Sequence, residues 1–172
     1  MNKEIKKWTK AGVLFTIIIG SLLHFVYAWS GKNTIVGIIS PINESTWEHL
    51  KMLFWPTLLF SIIEFFLIGK HYKNYLTGRA VGIYVGILMI VTLFYTYTGV
   101  IGTHYTAIDI LIFIVSVIIS YYVGYKITIS RNKVNGFANF LALISIALLF
   151  FAFVYFTNNA PQIPLFRDPS AG

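Results

Sequence analysis

Five long apolar runs, at residues 11–29, 45–69, 80–102, 105–128 and 136–156, are separated by short stretches rich in lysine, arginine, asparagine and glycine. Within the runs apolar residues are nearly continuous, so neither the alternation of a half-buried strand nor the single stripe of a soluble amphipathic helix fits them. A helix needs roughly 20 apolar residues to cross a hydrocarbon core about 30 Å thick. The pattern therefore predicts an all-α, polytopic transmembrane helical bundle of about five spans. One membrane domain is expected over 1–172, since the loops leave no length for a second core. The tail, residues 157–172, holds Pro161, Pro164 and Pro169, which favour turns or extended chain over another helix.

Charge gives this arrangement a direction. Of 13 lysines and arginines, ten (Lys3, Lys6, Lys7, Lys10, Lys70, Lys73, Arg79, Lys126, Arg131 and Lys133) fall on one side, leaving Lys32, Lys51 and Arg167 for the other. The positive-inside rule then places the N-terminus inside and the C-terminus outside. Val26-Tyr27-Ala28 also fits a signal-cleavage pattern. A histidine inside the first run, and the alternation of lysine-rich with lysine-poor loops, favour a retained span.

Composition narrows the function classes. Apolar residues make up 57% of the chain and charged ones 11%, which is a membrane composition. The net charge of +7 is explained by loop cations, and no nucleic-acid partner is expected. With no cysteine, thiolate metal sites and thiol nucleophiles are excluded. Membrane lipid is the expected partner, along with a homo-oligomeric or other membrane contact. Abundant Ile, Lys, Asn, Tyr and Phe suggest an AT-rich prokaryotic genome and hence its plasma membrane.

Ionisable groups inside spans cost about 2.5–3.5 kcal/mol each on insertion scales and so mark functional positions. His24, Glu44, Glu48, His49, Lys51, His104 and Asp109 all fall near the outer level of the five runs. Ser45-x-x-Glu48 reads as a capping box for the second span. Glu44, Glu48, Lys51 and Trp55 follow one helical stripe, with His49 about a quarter turn away. His24, His49, His104 and Asp109 together form a nitrogen and oxygen donor set suited to zinc or a similar divalent ion. Glu44 or Glu48 would then serve as general base. Each also has a structural reading: interior hydrogen bonding for His24, a solvated loop for His104, pairing with Lys51 for Asp109. Glu64 lies roughly 24 Å below Glu48 by helical rise. It shares a polar stripe with Thr57 and Ser61 beyond the bend expected at Pro56, and is read as a proton or ion carrier, a group bonded to Ser120 or Tyr121, or one reaching for the inner interface.

The runs Leu23-His24-Phe25-Val26-Tyr27-x-Trp29-Ser30-Gly31 and Ser40-Pro41-x-Asn43-Glu44-Ser45-x-Trp47-Glu48-His49-Leu50-Lys51, with Tyr97-Thr98-Gly99 and Pro164-Leu165-Phe166-x-Asp168-Pro169, resemble a family of small prokaryotic membrane proteins known as a domain of unknown function. The resemblance implies the fold and no activity. Three classes of function follow from the polar positions: a metal-dependent hydrolase acting on a lipid or amphipathic substrate near the outer leaflet, a proton- or ion-coupled transporter, and a non-catalytic accessory protein. The transporter would require dimerisation, because five spans do not divide into equal halves.

Overall fold

The computed structural model describes residues 2–168, and Pro169, one of the three tail prolines, lies outside them. Among the described residues there are six α-helices and no strand: α1 (Asn2–Trp29), α2 (Thr34–Ile39), α3 (Thr46–Leu67), α4 (Tyr75–Ile101), α5 (Thr106–Thr128) and α6 (Gly136–Asn158). All but the short α2 are long and apolar enough to cross a membrane. Two 3₁₀ turns, Gly69–His71 and Pro164–Phe166, follow α3 and α6.

Two helices begin earlier than the charge pattern suggested. The lysine-rich residues before position 11 belong to α1, because Ile5 and Thr9 on one face are buried while Lys3, Lys6, Lys7 and Lys10 stay exposed. Ile5 packs with Tyr72 and Tyr75. α4 starts at Tyr75, so Arg79, counted above as a loop cation, is a buried helical residue.

The long helices alternate in direction, and hydrogen bonds mark the two ends of the bundle. At one end Thr46 of α3 meets Tyr95 of α4 (3.4 Å), Lys51 of α3 meets Thr157 of α6 (2.8 Å), and Tyr97 of α4 bonds Asp109 of α5. At the other, Asn74 donates to the carbonyls of Ile127 and Asn132 and accepts from Val134 N. Thr77 and the Lys73 carbonyl hold Asn139, near the start of α6.

Small residues set the spacing between helices, as expected where lipid removes the hydrophobic drive between them. A Cβ at Gly78 would lie 2.7 Å from the Gly124 carbonyl, and one at Gly82 2.5 Å from the Ser120 carbonyl, so α4 and α5 touch backbone to backbone. Pro56 sits inside α3 and cannot bond the Met52 carbonyl. Gly20 of α1 packs against that freed carbonyl. The centre of the bundle is filled by Leu53, Phe54, Phe113, Val117 and Phe153.

Candidate metal centre

The site is built where α1 ends and α3 begins. Ser40, just after α2, donates to the Leu23 carbonyl and accepts from Tyr27 N, which ties the last turns of α1, and with them His24, to the start of the loop before α3. Ser45 caps α3, its hydroxyl accepting from Glu48 N (3.4 Å). The reciprocal half of the expected capping box takes another form. Ser45 N donates to Asn43 Oδ1 (3.0 Å), and the Glu48 carboxylate reaches further, to Ile42 N (3.0 Å). This leaves Glu44 outside the helix, on the loop, rather than on a stripe with Glu48 and Lys51.

Glu44 turns its carboxylate between two imidazoles. His49 Nε2 lies 3.4 Å from Oε2 and His24 Nε2 4.0 Å from Oε1. One ligand atom from each of the three residues falls within 4.8 Å of the others. Donors about 2.0–2.2 Å from a tetrahedral metal stand about 3.3–3.6 Å apart, so the His49–Glu44 pair already has the spacing, and a small side-chain movement brings in His24. The tautomer is also suitable. His49 Nδ1 faces the Ser45 carbonyl at 2.9 Å; a carbonyl only accepts, so Nδ1 carries a proton and the neutral ring offers the lone pair of Nε2. The trio could hold a metal ion, and it is open: His24 and His49 are each 31% exposed and Glu44 53%.

The neighbouring Glu48 serves differently. Its carboxylate is buried against Lys51 (2.6 Å), whose other two ammonium hydrogens go to the Gly37 carbonyl (2.8 Å) and Thr157 Oγ1 (2.8 Å). All three donors of the lysine are used, and Glu48 Oε2 is shared with Ile42 N. Glu48 thus ties Lys51 to the loop before α3, and Lys51 in turn links α3 to α2 and α6.

His104 and Asp109 form a pair of their own. His104 Nδ1 lies 3.0 Å from Asp109 Oδ2, while Tyr97 donates to the other carboxylate oxygen and accepts from Tyr105 N. Among the described residues the group that brings three potential ligands together is His24, Glu44 and His49, without His104 or Asp109. Asp109 pairs with His104 in place of Lys51. Glu64 is fully buried and bonded to Arg79 and to the Tyr75 hydroxyl (2.7 Å). Its expected hydroxyl partner Tyr121 instead bonds Thr16 (2.9 Å) and lies under the Arg79 guanidinium.

A family model described as a family of unknown function, DUF6512, covers residues 1–172. The chain belongs to DUF6512. No curated protein and no solved structure matches it.

Three partners escaped the sequence reading of this DUF6512 chain, two beside the trio and one at the opposite end of the bundle. Thr157 completes the Lys51 shell from the end of α6. Arg79 neutralises Glu64 from the first turns of α4. Asp168 accepts from the Glu44 amide (3.3 Å). Asp168 had an advance signal in the Pro164-Leu165-Phe166-x-Asp168-Pro169 run, and Arg79 had one as an arginine four residues after Tyr75 and next to Gly78, where a helix start and a close helix contact coincide.

Proposed function

We propose that this DUF6512 protein is a multi-pass protein of a prokaryotic plasma membrane, N-terminus inside and C-terminus outside, that holds a divalent ion such as zinc on His24, Glu44 and His49 and hydrolyses a lipid or other amphipathic substrate at the outer leaflet. The observation that carries this reading is the convergence of two imidazoles and one carboxylate within 4.8 Å on a partly open surface. Two histidines and a glutamate, with a further position left for water, make up a catalytic rather than a structural zinc set. A metal held by His24, Glu44 and His49 would make a bound water acidic near neutral pH, and that activation would not call on the buried Glu48.

Hydrolysis of such a substrate would join the oxygen of water to the acyl or phosphoryl centre as the bond to the alcohol oxygen breaks, with one proton of that water going to the departing alcohol. Glu44 acts as a ligand here rather than as the base. The setting supports an amphipathic substrate: Phe25 and Trp29 stack on each other at 5.7 Å beside His24, and both are exposed, as are Ile35 and Ile39. Trp at such a position suits a membrane–water interface. Zinc-loaded protein in vesicles carrying ester- and phosphoester-linked lipids tests the reading. Release of water-soluble or fatty-acid product, lost in His49→Ala, supports it; no turnover of any lipid class by fully loaded protein contradicts it.

Ion-coupled transport draws on one separate observation. Glu64 Oε1, Arg79 Nε and Ser61 Oγ are buried without partners, a pattern that suits internal water. Glu64 is already neutralised by Arg79 and separated from the metal trio by the apolar centre of the bundle, which weighs against its acting as a carrier.

A further inference from the structure

Glu44 is the least restrained member of the trio. His24 and His49 project from helices, whereas Glu44 sits on the loop between α2 and α3 and its side chain is more than half exposed. A ligand carried on a loop binds well only if something else fixes the loop. Its own segment supplies a hold through Glu48, which bonds Ile42 N two residues before it. The second hold comes from the far end of the chain. After α6 the backbone turns back, and the 3₁₀ turn Pro164–Phe166 lays Phe166 on Trp47 (centroids 4.8 Å, 29° between planes) and on Phe156 (5.2 Å). Two residues on, Asp168 accepts a charge-assisted hydrogen bond from the Glu44 amide, across 124 residues of sequence.

We propose that the C-terminal tail is a strap that positions Glu44 for metal binding, with Phe166 as its anchor and Asp168 as its contact with the ligand-bearing loop. This rests on the metal reading above. Asp168 is a positioning residue: it holds the Glu44 backbone and lies outside the ligand trio. The strap and the metal are then coupled in both directions. A docked tail raises metal affinity, and a bound metal, by fixing Glu44, holds the tail down. Anything that draws Phe166 or Asp168 away, such as a membrane partner with an apolar pocket beside a cationic group, would lower metal affinity without touching a ligand.

The test uses full-length protein in detergent, titrated with Zn²⁺ against a competing chelator, as wild type, Asp168→Ala, Asp168→Asn and Phe166→Ala. Hydrogen exchange of residues 163–168 and of the Glu44 amide is followed with and without Zn²⁺. Losing an outer-shell contact of this kind weakens metal binding roughly 10–100-fold. Asp168→Ala is expected to lose about tenfold, Asp168→Asn less because its amide oxygen still accepts, and Zn²⁺ should slow exchange of the wild-type tail. Equal Zn²⁺ affinity in all four proteins, with tail exchange indifferent to Zn²⁺, overturns the strap while leaving the metal site standing. Wild type that takes up no Zn²⁺ overturns the metal reading itself, and the strap's role with it.

Discussion

Lys51 shows how a charged side chain settles among apolar helices. Its three hydrogens meet three acceptors, one of them the Glu48 carboxylate, so neither charge is left bare. Removing one partner of a buried pair strands the other, at a cost of about 3–5 kcal/mol, whereas replacing both is often close to neutral. Lys51→Met is therefore expected to lower unfolding stability in detergent by about that amount, and Lys51→Met combined with Glu48→Gln to recover most of it. Equal stability of the single and double variants would show that a stranded Glu48 is not the source of the loss. The i,i+3 spacing of Glu48 and Lys51 was legible in the sequence, as was the serine cap before them. The Gly37 and Thr157 partners were not, because helix periodicity carries no information about which distant helix supplies an acceptor. Glu64 failed for the same reason. Its need for a partner was evident, but Arg79 was counted among the loop cations.

At the scale of elements, the seam between α4 and α5 rests on missing side chains. Gly82→Leu would press a Cβ to 2.5 Å from the Ser120 carbonyl, and overpacking of this kind costs about 1–3 kcal/mol. Gly99, on the same helix, has open space where a side-chain methyl would stand, with nothing within 4 Å, so Gly99→Ala should be neutral or slightly stabilising. Thermal unfolding of the two variants checks the contrast, and matching losses would count against close packing at the seam as the cause. Gly82-x-x-x-Gly86 is a spacing that lets helices approach closely but is common by chance; Gly78 and Gly124, which complete the contact, become visible only with the partner helix in place. Apolar run length revealed the five long helices because crossing a membrane imposes it. α2 stayed hidden, since Thr34-Ile35-Val36-Gly37-Ile38-Ile39 is too short for a periodic signal and its Asn33 cap is no rarer in loops. The start of α1 was misplaced because lysines that end a membrane run do not end a helix.

For the molecule as a whole, alternation of helix direction gathers three of the four histidines and four of the six acidic residues at one end and most of the cations at the other. The proposed orientation has a direct check in a chain with no native cysteine: Asn159→Cys should react with an impermeant maleimide on intact cells and Lys6→Cys should not, and the reverse labelling would invert the topology. A common depth for His24, Glu44, His49, His104 and Asp109 was readable from the sequence, but depth alone does not tell which residues touch around the bundle. The fold divides them into the His24–Glu44–His49 trio and the His104–Asp109 pair, and that division makes the metal site specific enough to test. The decisive measurement is the metal content of the purified protein, isolated without chelator and reconstituted with zinc, for wild type and for His24→Ala, His49→Ala and His104→Ala at matched folding. About one tightly held ion per chain is expected in wild type and in His104→Ala, with loss in His24→Ala and His49→Ala. A wild type that holds no ion, or one whose ion is retained in both trio variants, would contradict the proposed centre.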